Sequence, residues 1–357
     1  MEKSARKSNI ELARIFCMFL IVAIHYAYYG FIIPEGTPLT ANLLLLEVIG
    51  SGGHIAVDLF VLISGYFLSV SRFSLRKAAK LYLQVTLISI VINLIAMASG
   101  VEMGLREIVY FLFPIPCGTY WFATTYFLLY LLSGYINALI AVMSRRSFLC
   151  LIWLLLITVS AMPTFFSLSP LSSNLALFIT LYLIAAYFRK YSPRLFEGSR
   201  SLALAFGAYA VILAASLAIK VWGGASPLLA RLGPDLSVNE DSYTILIAVL
   251  LFAGFKNTDM GSSRFINAVA ASTFGVYLIH CDLNVLRFLL VTVMKTPDYL
   301  SSPYLALHAL VTILFVYTVC TLGDIAFRYL IERPLWKLLD RYWPGLEEKL
   351  LHPAAEQ

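Results

Sequence analysis

An all-α bundle of about ten transmembrane helices, with both termini cytoplasmic, is the fold that the sequence predicts, and three observations lead to it. Only 13% of the 357 residues are charged and 60% are hydrophobic, with a mean hydropathy of +0.83, whereas soluble domains carry roughly 25% charged residues. The hydrophobic residues fall in long blocks between short charged knots, so no polar surface is left to cover a soluble globule. The basic residues crowd into alternate connections, the pattern of a chain that crosses a membrane repeatedly.

The first block, at about 11–33, follows Lys3, Arg6 and Lys7. It begins like a secretory signal but is long and has no small-residue cleavage site, so it reads as a retained helix. Further blocks run at about 43–70, 78–98, 120–142, 148–167, 173–188, 201–222, 243–255, 266–293 and 304–328. The eighth is short for a crossing, and 108–115 before Pro116 reads alternatively as a re-entrant piece.

Charge sets the orientation. Lys3, Arg6 and Lys7, the group Arg72, Arg76, Lys77 and Lys80, then Arg145 and Arg146, Arg189 to Arg200, Lys256 and Arg264, and the C-terminal end place 21 of the 26 Lys and Arg on one side, with Arg14. That side is cytoplasmic, with 34–42 and 223–241 outside and 190–200 inside. After Pro334, Leu335–Leu351 alternates apolar and basic residues. It is expected to lie on the inner surface as an amphipathic tail, dividing the chain into a membrane domain, 1–334, and a tail, 335–357. The net charge of +6 thus belongs to loops facing membrane lipid, and no nucleic-acid partner is expected. Five cysteines, at 17, 117, 150, 281 and 320, offer neither a disulfide framework nor a metal-ligand spacing, and no metal is expected.

Ionisable side chains at membrane depth are costly and mark function by default. In the first block Arg14 and His25 are eleven residues apart, on one face and roughly 16 Å apart along the axis, and Glu11 stands one turn before Arg14. Arg14 can also be read as an interfacial arginine reaching lipid phosphate. The second block contains His54-Ile-Ala-Val-Asp58-Leu-Phe60-Val-Leu-Ile-Ser64-Gly65-Tyr66. Counting from Arg72 puts Asp58 about 21 Å deep, and counting from Ile10 puts His25 about 22 Å deep. His280, fifteen residues beyond Phe265, arrives at the same level, with Tyr277 a turn below it. Two histidines and a carboxylate are therefore expected in one layer of the outer half of the membrane.

Glu11-Leu-Ala-Arg14 followed by His25, Val57-Asp58-Leu-Phe60 with Ser64-Gly65-Tyr66, Tyr120-Trp121-Phe122 with Tyr126, Ser272 with Tyr277-Leu-Ile-His280, and Glu332-Arg333-Pro334 together resemble the acyltransferase 3 family in order and spacing. The resemblance covers roughly residues 8–340. It implies about ten membrane helices in the bacterial cytoplasmic (inner) membrane, a cytoplasmic acyl-CoA donor, and transfer of an acetyl or related group to a hydroxyl of an extracytoplasmic or lipid-linked polysaccharide. The family's functional arginine and histidine fall on Arg14 and His25. Val61, and Lys80-Leu81-Tyr82-Leu83 at the third block, depart from the family pattern.

Such a transfer needs a base, an oxyanion partner and exclusion of water. His25 is expected as the base, oriented by Asp58, with His280, Tyr277 or Ser64 donating to the oxyanion or positioning the acceptor. Arg14, Arg72, Arg76, Lys77 and Lys80 are expected to hold the anionic end of acetyl-CoA or another acyl-CoA, with anchoring to anionic lipid as the alternative role for the loop cations. An extended pantetheine arm of roughly 15–20 Å suits the roughly 16 Å rise from Arg14 to His25. Trp121, Tyr126 and neighbouring aromatics are expected near the acceptor, and Tyr66 and Glu332 as support. The competing reading is a secondary transporter or flippase of glycan precursors, in which the same residues would relay protons or bind cargo.

Overall fold

The computed structural model describes residues 8–166, 168, 171, 173–192, 200–222 and 241–351. Helix makes up 82% of the structure, with no strand among the described residues. Lys3, Arg6 and Lys7, the stretch 193–199 with Arg194, and 223–240 with Arg231 lie outside the described residues.

Each apolar block forms helix. In order these are α1 (Ser8–Tyr29), α2 (Ala41–Gly50) with α3 (Gly53–Leu68), α4 (Leu75–Ala98), the short α5 (Leu105–Leu112), α6 (Trp121–Val142), α7 (Arg145–Phe166, with a π-helical turn at Leu156–Ala161), α8 (Asn174–Tyr191), α9 (Arg200–Trp222) and α10 (Asp241–Asn257). There follow α11 (Arg264–Ala270), α12 (Thr273–His280), α13 (Leu283–Arg287, running on to Val293 as π-helix), α14 (Leu305–Phe327) and α15 (Arg333–Leu351). Polar side chains start several of them: Thr40 caps α2 and Ser144 caps α7, each hydroxyl accepting a first-turn amide.

α3 is the centre of the bundle, buried almost continuously from Ile55 to Gly65 and packed on α1, α8 and α10. α8 is buried without a break from Thr180 through Phe188, while α9, at the periphery, buries only Ser201 and Ala205. With no water to escape from, such helices associate through close packing and interhelical hydrogen bonds. At the predicted inner end of α1, for example, the Asn9 amide donates to the carbonyls of Phe255 (2.9 Å) and Thr258 (3.0 Å).

Among the described residues, seven helices are long and apolar enough to cross a membrane, or eight if the bent pair Arg264–His280 and Leu283–Val293 is one span. The sequence predicts about ten. The difference has three sources. α8 is only 18 residues long and ends in Arg189 and Lys190, α10 is short, and the ninth block bends by 88°. The bend falls at Cys281-Asp282. There the Asp282 carboxylate caps α13, accepting the Asn284 amide at 3.0 Å, and also accepts from the Asn93 side chain of α4 at 3.0 Å. A buried carboxylate satisfied in this way holds an otherwise costly pair of helix ends inside the bundle.

The C-terminal helix also differs from expectation. Helix continues from Leu305 to Trp343 over 39 residues, through a π-helical stretch at Arg328–Glu332. The predicted boundary at 334/335 lies inside it, so the first part of the tail continues the helix begun by α14.

Candidate active site

The site starts from one close approach. A Cβ added at Gly53 of α3 would come within 2.5 Å of the Ile24 side chain of α1, so only glycine lets the two helices meet there. Beside this contact opens a cleft of about 210 Å³. His25, Tyr28 and Tyr29 line it from α1, His54, Val57 and Phe60 from α3, Trp121 and Phe122 from α6, and Phe274 and Tyr277 from α12. Tyr28, Tyr29 and Trp121 are about half exposed and form its rim.

Two predicted residues meet directly. His25 Nδ1 lies 2.9 Å from His280 Nε2. His280 is fully buried, and its Nδ1 lies 2.5 Å from the Val276 carbonyl one turn back. A carbonyl only accepts, so His280 Nδ1 carries a proton and, in the neutral ring, Nε2 is an acceptor. His25 Nδ1–H then donates to it. The proton positions along this chain leave Nε2 of His25 as the ring's free lone pair, on a side chain that lines the cleft.

Asp58 does not join them. The hydrogen-bonding contacts of His25 go to His280 and to the Cys281 thiol, and Asp58 is buried elsewhere on α3. The expectation fails on a helix end. A depth counted from Arg72 overruns, because α3 stops at Leu68 and four residues of turn are taken for helix. The register set by Gly53 against Ile24 places Asp58, five residues further along an antiparallel helix, about 9 Å below His25. It also lies about a third of a turn from the face bearing Gly53, Val57 and Phe60. The residue that α3 brings to the His25 level is His54, which belongs to the quoted motif run but carries no role in the sequence reading. Gly52-Gly53 immediately before it is the available signal.

Tyr277 is buried, its ring packed against Phe122 at 5.3 Å and near His280 at 6.3 Å. Its hydroxyl faces the first-turn backbone of α6 at Phe122 and Ala123. Phe122 stacks on Tyr126 at 6.1 Å, and Tyr126 faces Ser64. An aromatic column thus descends from the histidine pair to the level of Arg14. There Arg14 stands 3.8 Å from the buried Glu11 and 6.0 Å over the Phe67 ring. Tyr66 is engaged elsewhere, with the Arg189 guanidinium 4.7 Å over its ring.

The predicted donor surface divides. Arg72 and Lys77 are exposed at the start of α4. Arg76 pairs with Asp340 of α15, and Lys80 pairs with the buried Glu332 at 3.1 Å while lying 5.6 Å over Trp336. Two of the four loop cations are therefore held by the C-terminal helix. Cys281, to which the sequence reading gives no role, completes a tight group with His25 and His280.

The family model for an acyltransferase domain, that of acyltransferase 3, matches residues 7–323. Neither a curated protein nor a solved structure matches the chain. The match spans most of the sequence, and the chain belongs to the acyltransferase 3 family: it is an integral membrane acyltransferase.

Proposed function

We propose that this acyltransferase moves an acyl group, in the first instance acetyl, from cytoplasmic acyl-CoA to a hydroxyl of an extracytoplasmic or lipid-linked polysaccharide, and works in the bacterial cytoplasmic membrane with both termini inside. The observation that carries this reading is the proton-ordered chain from Val276 through His280 to His25, which leaves a base facing a cleft large enough for part of a sugar.

In this reading His25 Nε2 takes the proton of the acceptor hydroxyl as its oxygen attacks the thioester carbonyl. A C–O bond forms, the C–S bond breaks, and the proton returns to the departing coenzyme A sulfur. His280 holds His25 in the required tautomer. Tyr277 supports the oxyanion: the α6 first-turn amides at its oxygen leave its O–H proton to donate. Trp121 and the Tyr28–Tyr29 rim receive the acceptor ring. Arg14, with Arg72 and Lys77, draws in the nucleotide end of the donor, and the thioester reaches His25 along the Tyr126–Phe122 column.

Direct transfer is favoured over an acyl-enzyme relay because Ser64 lies more than three turns below His25, beyond reach of its base. A transporter or flippase would be expected to pair broken helices in two related halves, and among the described residues one pair is bent.

The test is to incubate purified protein with radiolabelled acetyl-CoA, with and without glycan acceptor, and to measure transfer, thioester hydrolysis and intact protein mass. Acceptor-dependent consumption of donor with no protein adduct is expected. No donor turnover would overturn the reading, and a Ser64 or Tyr66 adduct chased off by glycan would replace direct transfer by the relay.

A further inference from the structure

The Cys281 sulfur lies 3.8 Å from His25 Nδ1 and 3.7 Å from His280 Nε2, which are themselves 2.9 Å apart. Three donors at these separations form the face of a tetrahedron. Zn²⁺ at ordinary Zn–N and Zn–S bond lengths requires about 3.3 Å between two imidazole nitrogens and about 3.6 Å between each nitrogen and the sulfur. The triangle meets this if the nitrogens part by about 0.4 Å and the sulfur closes by about 0.2 Å.

A second feature is independent of these distances. His280 Nδ1–H is anchored on the Val276 carbonyl, so its Nε2 carries no proton and presents its lone pair on the side of His25 Nδ1, along one edge of the triangle. Ligating histidines are oriented in this way by a bond from their other nitrogen. The donor set of two imidazoles and a thiol contains no oxygen and suits zinc-like ions over magnesium or calcium. His25 and Cys281 are both partly exposed, and His25 lines the cleft, which gives the ion a way in.

We infer that His25, His280 and Cys281 bind one zinc-class divalent ion, and that this ion and the acyl-transfer base are mutually exclusive uses of His25. Binding replaces the proton between the two rings. His25 Nδ1 turns its lone pair to the metal, that proton moves to Nε2, and the Cys281 thiol releases its proton to solvent. One proton leaves per ion bound, and Nε2 no longer offers a lone pair to the acceptor. The fourth metal position falls to water. The binding site stands on geometry alone, whereas the inhibition rests on the proposed role of His25.

The experiment uses full-length protein in detergent, stripped of metal with chelator. Zn²⁺ is titrated in competition with a chromophoric chelator, Co²⁺ serves as the spectroscopic probe, and acetyl-CoA turnover is followed in parallel. One ion per chain, a thiolate-to-cobalt charge-transfer absorption and loss of turnover on Zn²⁺ addition are expected. Cys281→Ser, a near-isosteric change, should abolish that absorption, weaken Zn²⁺ binding at least ~100-fold and, relative to its own metal-free turnover, lose no activity at Zn²⁺ levels that silence the wild type. Absence of the charge-transfer band, or equal Zn²⁺ affinity in Cys281→Ser and wild type, overturns the site. Binding with the band but undiminished turnover upholds the site and removes His25 as the base.

Discussion

The cleft around His25 and the basic rim at the start of α4 hold their polar groups in different ways. In the cleft, His280 is fully buried and both of its ring nitrogens have partners fixed by backbone and by α1. At the rim, Arg76 and Lys80 are exposed and find their acidic partners on the C-terminal helix. An exposed pair such as Arg76–Asp340 contributes little, typically below about 1 kcal/mol, and can be exchanged for an incoming anion. A misplaced proton on the fully buried His280 has no such substitute. Selectivity of geometry belongs to the cleft and tolerance belongs to the rim.

Sidedness breaks this comparison most completely. Ser192 ends α8, and the proposed topology puts it on the cytoplasmic face with the rim, so Ser192→Cys should react with an impermeant thiol reagent only in inverted vesicles, above the wild-type background. Labelling in intact cells would exchange the two regions. Next in size, His25→Ala should lower transfer about 10²–10⁴-fold, the usual loss for a general base, while equilibrium binding of acetyl-CoA is retained. Wild-type turnover by the folded variant would remove the base.

His280 acts through His25. His280→Ala leaves His25 Nδ1–H without an acceptor and should cost about 10²-fold in kcat with little change in the KM for donor, and His280→Gln, which restores an acceptor oxygen, should recover part of it. Equal defects in both variants would assign His280 to packing alone. Gly53→Val should cost about 1–3 kcal/mol through overpacking against Ile24, seen as a lower melting temperature together with lost transfer. Smallest is Asp340→Asn: release of Arg76 should lower the KM for acyl-CoA up to about threefold, less at high salt, with an unchanged melting temperature. A raised KM would show that the pair shapes the donor surface.

The helices are legible in the sequence because long apolar blocks at this hydropathy admit little else, and each of the ten blocks is occupied by helix. His25 and His280 are legible as a pair because α1 is unbroken from Ser8 to His25 and only the turn at Ala271-Ser272 interrupts the count from Phe265 to His280. Asp58 is not, since its depth is counted from the charged knot at Arg72 while the helix ends at Leu68. The bend at Cys281-Asp282 is masked by the apolar residues on both sides, although an aspartate inside an apolar block is a capping signal in plain view. Cys281 has no motif of its own: its partners come from its place at the end of α12, next to His280 and facing His25 of α1. At the rim, sequence identifies the cations, but their pairing with Asp340 and Glu332 depends on the angle at which the C-terminal helix leaves the bundle.

The bend at Asp282 also bears on how the protein is made. Segment 264–293 carries a carboxylate into lipid, and its partner Asn93 sits almost two hundred residues earlier, on α4. Because synthesis runs from the N-terminus and early segments settle first, α4 is already in the bilayer when Asp282 emerges from the ribosome. The late segment is inserted beside a waiting hydrogen-bond donor, so the shape of its corner is decided by neighbours laid down before it.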